Sequence, residues 1–299
     1  MSGDRPTASA AGARDGPRAR LRSLVTLSRP RFWLYLAGPV LVGVAFGART
    51  VGDLVTPSTA GLFAYFLLPA NVFLYGVNDV FDRDIDAVNP KKGGGREARY
   101  EGDPLVPAAV VASALLGLGL FAVTPRATWP YLGGFLLLGA AYSAPPRLKT
   151  KPPLDSVSNG LYVLPGAAAF ALVSGAHPPT AALVGGWLWS MGMHTFSAIP
   201  DVEPDRAAGV ETTATLLGET RTYAYCGACW LAAVAAFAAV DPRLALPLAV
   251  YPPVAAAVPL SGVSVHRAYW WFPALNTLVG TLLTLGALWR FPALRAVVA

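Results

Sequence analysis

The chain has 299 residues, 54% of them hydrophobic and only 13% charged. Globular chains carry about 25% charged residues, so an ordinary soluble domain is excluded and long apolar runs point to membrane helices. The net charge of +6 does not make a nucleic-acid surface, because the basic residues lie between apolar runs and not along one soluble face.

In chain order, residues 1–26 are rich in Gly, Ala, Arg, Ser and Asp and read as a disordered cytoplasmic tail. They do not resemble a cleaved signal peptide, since the basic stretch is long and the apolar run from Phe32 continues without a convincing cleavage site. Residues 27–299 read as one membrane domain. The predicted fold is all-α, a multi-span transmembrane bundle of about nine helices. The expected spans are 33–49, 58–80, 105–123, 128–143, 157–174, 180–199, 222–240, 244–260 and 270–289. Gly and Pro are frequent within them, as membrane bundles allow. Cys226 and Cys229 open the seventh span and lack the context of a redox or metal pair, so they read as small packing residues.

The loops set orientation. Arg5, Arg14, Arg18, Arg20, Arg22, Arg29 and Arg31 precede the first span. Arg83, Lys91, Lys92, Arg96 and Arg99 follow the second, and Arg147, Lys149 and Lys151 follow the fourth. The opposite loops carry only Arg49, Arg126 and Arg243 before the C-terminal arginines. The positive-inside rule then puts the N-terminus and these basic loops in the cytoplasm, with an odd span count placing the C-terminus outside. The expectation is a multi-pass protein of the cell membrane in contact with membrane lipid.

The acidic residues are more uneven still. Seven of 17 lie between Asp79 and Asp103, and five more between Asp201 and Glu219. Asp79, Asp82 and Asp86 are spaced i, i+3, i+7 and share one helix face, with Asn71, Tyr75 and Asn78 near the same stripe. Asp201 and Asp205 are spaced i, i+4 at the end of the sixth span, where Pro200 and Pro204 make the helix irregular. Two carboxylates ~4 Å apart repel by roughly 4 kcal/mol at an effective dielectric near 20, so positive charge is expected among them. Mg2+ fits, because it takes one or two carboxylates, keeps waters and binds substrate phosphates. Two such helix ends would clamp a diphosphate, with Arg147 and Lys149 reaching its remaining oxygens.

Other readings stand beside this one. A solvated charged loop does not explain a helical spacing that recurs twice. Asp82, Asp84 and Asp86 begin like a calcium loop, but Ala87 and Gly93 occupy its required Gly and Glu positions. A cation-coupled transporter would place ionisable groups nearer the membrane midplane. Spans one to four and five to eight each carry an acidic cluster after their second helix, a faint duplication that would make the clusters opposing walls of one cavity.

These residues resemble the UbiA superfamily of intramembrane prenyltransferases. Asn78, Asp79, Asp82 and Asp86 match its N-D-x-x-D-x-x-x-D motif, and Asp201 and Asp205 its D-x-x-x-D motif, followed by Arg206 and Gly209. The stretches Ser28-Arg29-Pro30-Arg31-Phe32-Trp33 and Tyr142-Ser143 with Pro145-Pro146-Arg147-Leu148-Lys149 are also similar. The resemblance implies an enzyme in which Asp79, Asp82, Asp86, Asp201 and Asp205 hold Mg2+ and act as catalytic ligands for a prenyl diphosphate. It implies that the diphosphate leaves, and that an electron-rich acceptor attacks the allylic cation. Proton loss or water addition then ends the reaction. Tyr75 and Tyr142 would stabilise the cation through their faces, and Asn71 and Asn78 would orient metal or diphosphate. His194, about two turns before Asp201, is a further substrate-binding candidate beside its reading as a hydrogen-bonded bundle histidine.

Two departures point to an acceptor. After the first motif the chain runs Asn89-Pro90-Lys91-Lys92-Gly93-Gly94-Gly95-Arg96, without the Arg-Pro pair many members carry, and Pro204 lies inside the second motif. Both stretches resemble the lycopene elongase branch, which adds dimethylallyl units to lycopene in fifty-carbon carotenoid synthesis. That implies lycopene as the lipophilic acceptor. Transfer to an aromatic quinone precursor or a glycerol-phosphate lipid remains the alternative.

Overall fold

The computed structural model describes residues 16–83 and 102–298, and no strand occurs among them. Helices dominate because a chain in hydrocarbon must satisfy its backbone polar groups internally. Helix α1 (Pro17–Leu27) packs Leu27 against Val72 and Val106. Residues 17–26 of the expected tail are therefore helical, and residues 1–15 lie outside the described residues.

A turn at Pro30–Phe32 leads into α2 (Trp33–Gly47). Helices α3 (Pro57–Leu67) and α4 (Pro69–Phe81) make one span with a break at Leu68. Pro69 has no N–H to continue the ladder, and Asn71 Nδ2 donates instead to the carbonyls of Phe66 and Leu67, each at 3.0 Å. Next come α5 (Leu105–Val123), α6 (Trp129–Ser143), a short α7 (Leu154–Val157), a tight turn at Ser158–Val163 and α8 (Leu164–Ser174). Helix α9 (Thr180–Ser197) gives way to a turn at Ile199–Asp201 and to α10 (Val202–Ala207). The chain finishes with α11 (Thr213–Leu217), α12 (Glu219–Val240), α13 (Pro242–Leu248), α14 (Tyr251–Ser261), α15 (Val265–Trp270), α16 (Phe272–Leu288) and α17 (Pro292–Val298).

Among the described residues, six helical segments are long and apolar enough to cross a membrane: Pro30–Gly47, Pro57–Phe81, Leu105–Val123, Leu154–Ser174, Glu219–Val240 and Pro242–Ser261. The expected fourth, sixth and ninth spans are the helices α6, α9 and α16, which are shorter or more polar. The count of about nine is thus loose. Many prolines sit in first turns, at Pro57, Pro69, Pro130, Pro165, Pro242, Pro252 and Pro273, where the missing N–H costs nothing.

Two cores form. One gathers Leu36, Val40, Phe66, Phe73, Leu132, Phe135 and Leu161. The other is an aromatic stack of Phe196, Trp230, Tyr251 and Phe272, with Phe196 and Phe272 centroids 5.0 Å apart. Cys226 and Cys229 are buried free thiols, and Cys226 belongs to the second core. Helices α2 and α8 touch through glycine: a Cβ at Gly43 would overlap the Gly166 carbonyl oxygen, and one at Gly47 would come within 2.9 Å of the Phe170 oxygen. Helix α5 exposes Val111, Leu115, Leu116 and Leu118, an apolar outer surface suited to lipid.

Candidate active site

The last two turns of α4 present Tyr75, Asn78 and Asp79 on one face, and Asp82 follows as the capping residue. Asp79 and Asp82 are only 4% and 7% exposed, a burial that is costly without partners. The partners arrive from two loops. Arg29 lies 3.5 Å from Asp79 Oδ1 and stacks 4.6 Å from the centre of the Tyr75 ring. Arg147 donates to Asp82 Oδ1 at 3.0 Å, and Lys149 bridges to Asp82 Oδ2. Asn78 Nδ2 donates to Asp82 Oδ2 at 2.6 Å and to Ser143 Oγ at 3.0 Å. Arg29 and Arg147 have φ of 49° and 58°, and they are the non-glycine residues with positive φ among those described. Such backbones cost of order 1–3 kcal/mol each and gather at functional sites. Here both aim a guanidinium at the same pair of carboxylates.

The second acidic cluster is built differently. Pro200 and Pro204 interrupt the helix as expected, so Asp201 ends a tight turn and Asp205 lies in the short α10. Both are half-buried. Arg206 is tied to the Thr215 carbonyl at 2.8 Å and to Glu203 at 3.1 Å. The segment 142–158 links the two clusters. It meets the first through Ser143 and Arg147, and it meets the α9–α11 region through several side chains. Tyr142 Oη and His194 Nε2 share a hydrogen bond of 3.1 Å. Ser156 Oγ lies 2.7 Å from Thr195 Oγ1. The buried Asp155 accepts from Thr213 N at 2.8 Å and from Thr213 Oγ1 at 2.5 Å.

Asn78, Asp79, Asp82, Arg147 and Lys149 come together. Tyr75 joins them, but Arg29 covers its ring face. Tyr142 pairs with His194. Asn71 serves the α3–α4 break, about two turns from Asn78, with its amide nitrogen committed to backbone carbonyls. Asp86 lies outside the described residues. Among the described residues, no three His, Cys, Asp or Glu side chains form a ready-made metal cage. The sequence reading passed over Arg29, Ser143 and Asp155. Arg29 stood in the quoted Ser28-Arg29-Pro30 stretch, whereas Asp155 finds Thr213 across 58 positions and carried no local signal.

Beyond this polar end lies a cavity of about 500 Å3 among α2, α8, α9, α12 and α16. Leu34, Leu41, Phe46, Phe170, Leu183 and Leu283 are among its lining residues. Thr277 and Thr284 also line it, but their hydroxyls donate to the carbonyls of Pro273 and Gly280 on their own helix. A smaller chamber of about 60 Å3, lined by His194, Ser190 and Asn276, shares Tyr35, Tyr162, Trp189 and Asn276 with it.

A model of the UbiA prenyltransferase family matches residues 36–279. The chain belongs to the UbiA prenyltransferase family. It is therefore a prenyltransferase and a multi-pass membrane protein. The lycopene elongase/hydratase of Haloferax volcanii is 64% identical, over 91% of this chain and 90% of its own. That of Halobacterium salinarum is 61% identical, over 90% of this chain and 98% of its own. The structure of a UbiA homologue from Archaeoglobus fulgidus bound to DMAPP and Mg2+ superposes with a TM-score of 0.65, at 21% identity, over 89% of this chain and 99% of that one. The likeness shows the UbiA fold.

Proposed function

We propose that this UbiA enzyme transfers a dimethylallyl group from its diphosphate to lycopene, in fifty-carbon carotenoid synthesis. The observation that carries the acceptor is the cavity of about 500 Å3 walled mainly by apolar side chains, which suits a hydrocarbon with no polar anchor. The names of the Haloferax and Halobacterium relatives support the same acceptor.

The donor set at the polar end is carboxylate oxygen flanked by cations, which fits a hard divalent ion bound together with phosphate. Asp79, Asp82, Asp201 and Asp205 would hold Mg2+, with Asp86 added on the motif alone, and the ion supplies positive charge for the diphosphate leaving group. Arg29, Arg147 and Lys149 bind diphosphate oxygens directly. Asn78 and Ser143 hold Asp82 in place. The apolar walls exclude bulk water from the allylic carbon while the acceptor's terminal double bond attacks it. The basic loops support an orientation with the N-terminus and this polar end on the cytoplasmic side of the cell membrane.

The test incubates membranes containing the protein with lycopene, dimethylallyl diphosphate and Mg2+, then weighs the pigments by mass spectrometry. Five-carbon additions are expected, and chelation should abolish them. Turnover of a phenolic acceptor with lycopene untouched would replace this reading. That second reading rests on Ser190 and Asn276, which offer polar groups at the cavity's inner end.

A further inference from the structure

Beside the apolar cavity, sharing four of its wall residues, sits the chamber of about 60 Å3 lined by Tyr35, Tyr162, Ser190, His194, Tyr269 and Asn276. It exceeds the ~10–15 Å3 that one water needs. Its walls hold polar atoms with nothing to bind. Ser190 is 2% exposed, and Ser190 Oγ and Asn276 Nδ2 are buried with no hydrogen-bond partner among the described residues. The Asn276 carbonyl is already taken by Tyr251 Oη at 2.7 Å, which fixes the side chain and leaves the amide facing the chamber. Leaving a buried polar group unpaired is costly, so such atoms around one small space mark a water site. His194 is the chamber's imidazole. Its Nε2 meets Tyr142 Oη, and the neighbouring Ser143 meets Asn78 and through it Asp82. The chamber therefore shares walls with the acceptor cavity and is linked to the leaving-group end through His194, Tyr142 and the adjacent Ser143.

We propose that Ser190, Asn276 and His194 hold a water molecule that captures the cation formed on the acceptor, with His194 as the general base. The proposal rests on the lycopene reading and names the site that decides the product. When the acceptor's double bond forms a C–C bond to the allylic carbon, the diphosphate leaves with its electron pair. A tertiary cation remains on the acceptor. The water oxygen forms a C–O bond to that carbon, and one of its protons passes to His194 Nδ1, while Nε2–H donates to Tyr142. The positive charge ends on the imidazolium. Without the positioned water, the cation loses a neighbouring proton to the released diphosphate and closes to an alkene.

The test runs membranes in 18O-labelled water with lycopene, dimethylallyl diphosphate and Mg2+, and measures hydrated against unhydrated elongated product by mass. The native enzyme should give elongated product carrying 18O. In His194→Gln the hydrated-to-unhydrated ratio should fall about a hundredfold, the lower end of general-base contributions. Elongated native product without 18O overturns the water site and leaves prenyl transfer standing, and an unchanged ratio in His194→Gln also overturns it. If His194→Gln yields no elongated product, Ser190→Ala and Asn276→Leu decide: a lowered ratio supports the site and an unchanged one overturns it. If the native enzyme elongates no lycopene, the acceptor reading fails and this inference falls with it.

Discussion

The two acidic clusters use one residue type at similar spacing, yet the chain treats them oppositely. Asp79 and Asp82 end a continuous helix, are buried, and are met by Arg29, Arg147, Lys149 and Asn78. Asp201 and Asp205 straddle a proline-broken turn and stay half-buried. Burial demands partners, so the first cluster is held before any ligand arrives. The second is less buried, so that demand falls on it less heavily. Charge alone does not make a site rigid; the dryness of its surroundings does.

Replacing Asp82 by Ala should break the comparison most severely. Prenyl transfer should fall by about 10²–10³-fold, and stability in detergent by about 3 kcal/mol, because Arg147 and Lys149 lose their shared partner. A variant that melts like the native protein would show that the first cluster is not pre-held. Asp201→Ala should lose activity to a similar degree with a smaller loss of stability, because Asp201 is half-buried whereas Asp82 is buried. Equal melting losses in the two variants would erase the contrast drawn above.

Asp155→Asn probes what supports the second cluster. It swaps a carboxylate that accepts two Thr213 bonds for a group that satisfies them poorly, and should cost about 2 kcal/mol. Thermal melting would check this, and no change would remove Asp155 from the support of the α10–α11 region. Ser143→Ala, which deletes one acceptor of Asn78, should cost only about 1 kcal/mol. Its effect on transfer rate should be correspondingly small if Asn78 still holds Asp82. A loss as large as that of Asp82→Ala would move Ser143 into direct contact with substrate.

Much of the site was legible in the residues. The i, i+3 spacing put Asp79 and Asp82 on one face, and the 147–149 loop held the cations that meet Asp82. Asn71 lies on the expected stripe, and the Pro69 break adds what spacing does not show: its amide nitrogen is committed to the Phe66 and Leu67 carbonyls. Arg29 entered through the loop charge count and the Ser28-Arg29-Pro30 stretch, neither of which says which carboxylate its side chain reaches.

The sequence by itself determined that this chain crosses a membrane many times and concentrates its carboxylates at the ends of two helices. Those properties are set by hydropathy and period, which act over one or two turns. Only the tertiary structure decided that Tyr142 meets His194, that Asp155 meets Thr213, and that Ser190 and Asn276 share a chamber with that histidine. These pairings join residues far apart in the chain. They depend on where helices break and how closely glycines let them approach, as at Pro69, Pro200 and Gly43, and those are properties of the packed bundle.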